Sequence, residues 1–285
     1  MHLALNVAFD LVSFSAIIVL VVLGLGVIAS MMGIFNFAHG EFVLLGAYTV
    51  FLFHAAGLPV WLGMAAAPLL LAIFGLLLER TIIHRFYRAP IVAMLGTYAL
   101  GLVIRETVRG LIGGVYRAVP EPLVGSFTVG DLSFSRWRTA IILITLLVMA
   151  GSYLLLTRTR FGLQVRAALE NPGLARASGI STPRLYALTF AFGAALAGLA
   201  GALMVPLFSL FADLGVRFLI QGFLAVMLGG IGSFEGPVLG AGIIGLLSAG
   251  LPWLASPVMA DVLVFVIALA IVKLRPGGLI FRTRI

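Results

Sequence analysis

Two stretches set polar and ionisable residues inside apolar runs. The first is SMMGIFNFAHGEFVLLGAY, residues 30–48, with Gly33, Asn36, His39, Gly40 and Glu41; the second is MLGGIGSFEGPVLGAG, residues 227–242, with Gly229, Gly230, Gly232, Ser233, Glu235, Gly236 and Pro237. An ionisable group at membrane depth is costly and faces a protein interior or a water-filled path. Irregular backbone at that depth obeys the same constraint. The chemistry on offer is a polar lining: an amide, an imidazole, a hydroxyl, two carboxylates, and backbone dipoles freed at glycine breaks. Gly/Pro-interrupted segments recurring in two halves point to a transport path. Asn36, His39, Glu41, Gly229, Gly230, Gly232, Ser233 and Glu235 are its candidate lining. A purely structural role competes with that reading: Asn36 and Ser233 cap helix breaks, and Glu41 and Glu235 sit near the positive dipole end of the following helix. His39 and Glu41 are two apart, separated by about 200° on a helix, so no shared metal is expected. Arg105 and Glu106 are read as an ion pair or as an interfacial snorkelling arginine.

The chain has no cysteine, which excludes disulfides, thiolate chemistry and Cys-ligated metals. Lys273 is the only lysine and precedes Leu274, so a Gly-Lys-Ser/Thr phosphate loop is absent. If transport runs on ATP, another subunit binds it. No cofactor and no catalytic residue is assigned to this chain.

The elements that must position these residues follow from composition. Hydrophobic residues make up 62% and charged residues 10% of 285 positions, against roughly 25% charged in soluble domains. Apolar segments fall at about 7–29, 40–57, 60–78, 91–112, 139–157, 186–208, 217–234, 236–252 and 257–273, each near the roughly 20 residues that span hydrocarbon. They are continuous rather than alternating, which excludes a β-barrel. The expected fold is all-α: a polytopic membrane protein of eight or nine helices, some broken by glycine, in one domain over residues 1–285. Only His2 precedes the first apolar run, so 7–29 is read as a retained helix, not a signal peptide. The stripes Gly193, Ala197, Gly201 and Ala194, Gly198, Ala202 predict close helix packing.

Charge sets the expected orientation. Residues 79–90 hold Arg80, Arg85 and Arg88; residues 158–184 hold Arg158, Arg160, Arg166, Arg176 and Arg184; the tail holds Lys273, Arg275, Arg282 and Arg284. The positive-inside rule makes these cytoplasmic, which leaves 113–138 as an external loop with Arg117, Arg136, Arg138, Glu121 and Asp131. The N-terminus is then external and the C-terminus cytoplasmic. The net charge of +8 punctuates apolar runs instead of clustering on a solvated face, so nucleic acid is not a partner.

Residues 158–184 read RTRFGLQVRAALENPGLARASGISTPR. The pattern predicts two short helices, with Leu163, Ala167 and Leu174 on modest apolar faces. Asn171-Pro172 is a helix start, Gly179 a stop, and Thr182-Pro183 a second start. A passive connector needs only a few residues. This loop is either a surface shaped for a protein partner or an amphipathic segment resting on anionic headgroups.

GIFNFAHGEFVLLGAY, ERTIIHRFYRAP, GLQVRAALENPGLARASGI and VMLGGIGSFEGPVLGA, in that order, resemble the membrane permeases of the branched-chain amino-acid ABC importers (the LivH type), a superfamily that includes urea and short-amide permeases. The resemblance spans residues 20–280. It implies the importer permease fold in the bacterial inner membrane. It also implies a second permease, two cytoplasmic ATPases that bind ATP and Mg, an external substrate-binding protein, and no enzymatic activity in this chain. The loop at 158–184 matches the family's ATPase-docking loop, with Arg166, Ala167, Ala168, Glu170, Asn171, Arg176 and Gly179 as its contact candidates. The glutamate usual before the alanine pair is absent; Glu170 follows it. Branched-chain or other apolar amino acids are the expected substrates, with urea or short amides next. The alternatives of another class are an ion-coupled transporter using Glu41 or Glu235 as a proton site, and a channel.

Overall fold

A computed structural model describes residues 2–280 apart from Arg88, Asp131 and Pro276; these, with Arg282 and Arg284, take part of the charge pattern outside the described residues. The chain forms α1 (His2–Met32), α2 (His39–Ala55), α3 (Val60–Thr81), α4 (Pro90–Ile112), β1 (Ser126–Val129), β2 (Leu132–Ser135), α5 (Arg136–Arg158), α6 (Arg160–Glu170), α7 (Pro172–Ala177), α8 (Thr182–Met204), α9 (Leu214–Gly229), α10 (Glu235–Gly250) and α11 (Pro257–Leu274).

Among the described residues, seven helices are long and apolar enough to cross a membrane: α1, α3, α4, α5, α8, α10 with its 3₁₀ extension, and α11. The nine apolar segments of the sequence are these seven plus α2 and α9. Those two have 17 and 16 residues, about 25 Å of helix against a hydrocarbon core of about 30 Å. The glycine-broken segments are therefore the ones that fall short of a full span.

Helices α1 and α8 are the buried centre, each 78% enclosed over its apolar window, whereas α5 and α11 stay mostly exposed. The small-residue stripes of α8 are why. A Cβ on Gly201 would land on the Val43 carbonyl of α2, one on Gly46 would strike Gly198, and one on Gly24 would strike the Gly193 carbonyl. Among apolar helices, such close approach supplies the packing that no hydrophobic gradient provides.

Contacts separate the molecule into two ends. At one, the Phe9 ring lies 5.0 Å from Phe134, Asp10 pairs with Arg138, and Arg117 bridges Leu210. At the other, Tyr87 packs on Tyr186, and in the irregular chain after α11 Leu279 N donates to the Leu228 carbonyl. The segment 79–90, the loop 158–184 and the chain following α11 thus share an end, opposite α1's beginning.

The loop at 113–138 departs from an all-helical chain. It holds an antiparallel hairpin with Val129 opposite Leu132 and Gly130 at φ +63. Its signal is local: Phe127, Val129, Leu132 and Phe134 alternate about Gly130-Asp131, a two-residue hairpin centre.

Candidate functional site

Between α1 and α2 the backbone is non-helical from Gly33, which takes φ +68, to Ala38. Side chains satisfy its donors. Asn36 Oδ1 accepts from Ala38 N at 3.0 Å, and Thr97 Oγ1 of α4 accepts from Phe37 N at 3.1 Å. The first residues of α2 then enter the interior. His39 is fully buried, with Nε2–H donating to the Val21 carbonyl of α1 at 2.9 Å. Gly40 lies so close to Gly215 that a Cβ on either would meet the other's carbonyl.

Glu41 is fully enclosed and pairs with Arg105 of α4, whose Nε donates to Oε1 at 3.0 Å. The expected Arg105–Glu106 pair is not made, because neighbours on a helix point in different directions. Glu106 instead joins Arg109 at 2.8 Å, and Arg109 also reaches Asp213, the residue before α9, at 2.7 Å. Asn36 Nδ2 and Glu41 Oε2 are buried with no partner among the described residues.

Three half-buried rings gather at this break. Phe223 of α9 lies 5.1 Å from Phe35 and 5.3 Å from Phe37. Sequence reasoning passed over them, because phenylalanines in apolar runs are unremarkable until a break in the helix exposes them.

The second break is closed differently. Gly230 and Gly232 take φ +89 and +102, and Ser233 Oγ accepts from Gly236 N at 3.1 Å. The backbones of Gly229 and Gly236 touch, as do those of Gly230 and Gly278. Glu235 is half-buried at the edge of an apolar groove of about 580 Å³ lined by Met149, Tyr153, Phe234 and Leu239. Asn36 and Ser233 therefore brace the turns ahead of α2 and α10, whose N-cap positions, Ala38 and Phe234, carry no side-chain cap. The structure does not bring the two breaks together: Gly215 meets the first and Gly229 the second, about 20 Å apart along α9.

The arginine-rich loop folds into α6 and α7 as the pattern predicts. Thr159 Oγ1 accepts from Gly162 N at 3.3 Å, Asn171 Oδ1 accepts from Leu174 N at 2.9 Å, and Gly179 takes φ +82. Val165, Ala168 and Ala175 are buried against Val27 and Met31 of α1, Leu156 of α5 and Phe234. Gly162 sits directly on the Leu156 carbonyl, where no side chain fits. Of the contact candidates, Ala168 is buried, Ala167 and Arg166 are half-buried, and Arg166 donates to the Leu156 carbonyl. Glu170, Asn171, Arg176 and Gly179 are exposed, beside Leu163 (61%) and Leu174 (65%). The outward surface is thus two leucines among charges, on a base stapled to three helices.

Residues 7–272 match the family described as the permease component of branched-chain amino acid transport systems. The chain is 29% identical to the high-affinity branched-chain amino acid transport system permease protein BraD of Pseudomonas aeruginosa, over 93% of this chain and 92% of that protein. It is 27% identical to the corresponding protein LivH of Escherichia coli K12, over 97% and 95%. It is also 27% identical to permease protein LivM of the same strain, over 81% of this chain and 60% of LivM. No solved structure matches.

Proposed function

The chain belongs to the branched-chain amino acid transport permease family, and on that premise we propose that it is the membrane subunit of an ATP-driven ABC importer for aliphatic amino acids. Residues 1–285 act as one permease domain, paired with a second permease. Similarity to both LivH and LivM, two permease proteins of one strain, supports a partner of related sequence. Hydrolysis of ATP with Mg takes place in two cytoplasmic ATPases, and an external binding protein delivers substrate.

The observation that carries this reading is the α6–α7 elbow. It offers exposed Leu163, Leu174 and Arg176 on a base packed against α1, α5 and α8. A segment merely floating on headgroups would not need that base. The positive-inside rule puts this end in the cytoplasm and α1's beginning outside, in the inner membrane.

The path runs past the break before α2. A zwitterion there meets apolar ring faces from Phe35, Phe37 and Phe223, and in a conformation that opens the break it reaches the buried, unpaired Asn36 Nδ2 and Glu41 Oε2. That mix favours an apolar side chain over urea or a short amide. The permease needs little affinity of its own: the binding protein supplies capture, and ATP supplies direction. The glycine break around Gly229, Gly230, Gly232, Ser233 and Glu235 serves as a hinge at the cytoplasmic end of α9.

Reconstitution in liposomes tests the proposal. Leucine uptake should require the ATPases, the binding protein and ATP. Concentrative uptake by this chain alone, driven by a proton gradient, would replace it with the ion-coupled reading.

A further inference from the structure

Two tyrosines tie the elbow to the helical core. Ala168 lies in the last turn of α6, where carbonyls lack helical partners, and its carbonyl accepts from the Tyr186 hydroxyl at 3.2 Å. Tyr186 stands near the start of α8. Its ring meets the Tyr87 ring edge to face, with centroids 5.3 Å apart and planes at 73°. The Tyr87 hydroxyl in turn donates to Glu79 Oε1 at 2.6 Å. Glu79 is in the last turn of α3 and only 2% exposed. Helices α3 and α8 pack extensively against each other.

Each contact has a local explanation: a carbonyl capped, a buried carboxylate given a donor. Local needs do not require that the group satisfying Glu79 also pack on the group capping α6. The segment between is fixed as well. His84 Nδ1 lies 3.1 Å from the Glu79 carbonyl, and the Phe86 ring covers Gly96 of α4. Burial first, then the hydrogen bond to Glu79, push the Tyr87 phenol well above its usual value, so it stays a donor at physiological pH.

We infer that Tyr87 and Tyr186 are positioning residues that carry displacement of α6 into α3 and α8, an inference that rests on the elbow's being the ATPase-docking surface. Packed side chains and hydrogen bonds are the physical medium of such coupling. Without the bridge, α6 keeps its packing on α1, α5 and α8 but loses its tie to α3 through Tyr87 and Glu79.

The test uses the full complex in liposomes and reads leucine imported per ATP hydrolysed. Tyr186→Phe and Tyr87→Phe keep the rings and each removes one hydrogen bond. The ATPases should still co-purify and hydrolyse ATP, while import per ATP falls about fivefold, the scale of one hydrogen bond. Glu79→Gln keeps an acceptor for Tyr87 and should fall less. The double tyrosine variant should fall no further than its worse single, because the contacts act in series. A wild-type ratio in either single variant overturns the bridge. So does a proportional fall of hydrolysis and import, multiplicative loss in the double variant, or loss of co-purification. A wild-type complex lacking ATP-driven import sinks the importer reading, and the bridge with it.

Discussion

Arg105 of α4 holds the fully buried carboxylate of Glu41 of α2 across 64 positions of sequence. Helix α4 is only 28% enclosed over its apolar window. Beside this pair, it is held by the packing of Ala93, Ile104 and Val108 in the core, the Phe37–Thr97 hydrogen bond, the Arg109–Asp213 pair and the Phe86 ring.

Removing one partner of that pair strands a charge in a site closed to water. Arg105→Leu should therefore lower unfolding stability by about 3 kcal/mol, read as a thermal shift in detergent. Adding Glu41→Leu should recover most of the loss, since it removes the stranded charge. A single variant as stable as the parent would show that the pair does not hold α4.

The two arginines proposed for ATPase docking should behave differently. Arg166 caps the end of α5 through the Leu156 carbonyl, whereas Arg176 is exposed. Arg176→Glu should weaken ATPase association about fivefold, as expected of one surface charge, with melting unchanged. Arg166→Glu should lower both. Co-purification titrations beside melting curves separate them.

Glycine positions give a matched pair. Gly201 faces the Val43 carbonyl with no room for a Cβ, while Gly151 of α5 has nothing within 4 Å. Gly201→Val should disrupt α2–α8 packing and cost about 2 kcal/mol or more. Gly151→Ala should be neutral or stabilise by about 0.5 kcal/mol through helix propensity. Similar shifts for both would contradict the close packing.

The aromatic cluster gives a test of the path. Phe223→Ala removes the ring that faces both Phe35 and Phe37. Leucine import at saturating binding protein should fall about tenfold, on the scale of one aromatic contact, and serine import should fall less. Equal effects on both solutes would place the path elsewhere.

Local physics left a clear mark on the sequence. Hydropathy located the nine apolar helices found among the described residues, because transfer of a segment into hydrocarbon depends on its own composition. The ends of α7 were legible from Asn171, Pro172 and Gly179, because a cap is satisfied within a few residues. The stripe on α8 was equally legible, because close approach requires small residues at helical spacing. The hairpin at 126–135 carried a readable signal that the apolar runs around it obscured. Tertiary structure alone decided the partners. It gave Arg105 to Glu41 rather than to Glu106, joined Tyr87 to Tyr186, and put the two glycine breaks at opposite ends of α9. A side chain's partner depends on which distant helix crosses at its level, and spacing along one chain carries no record of that crossing.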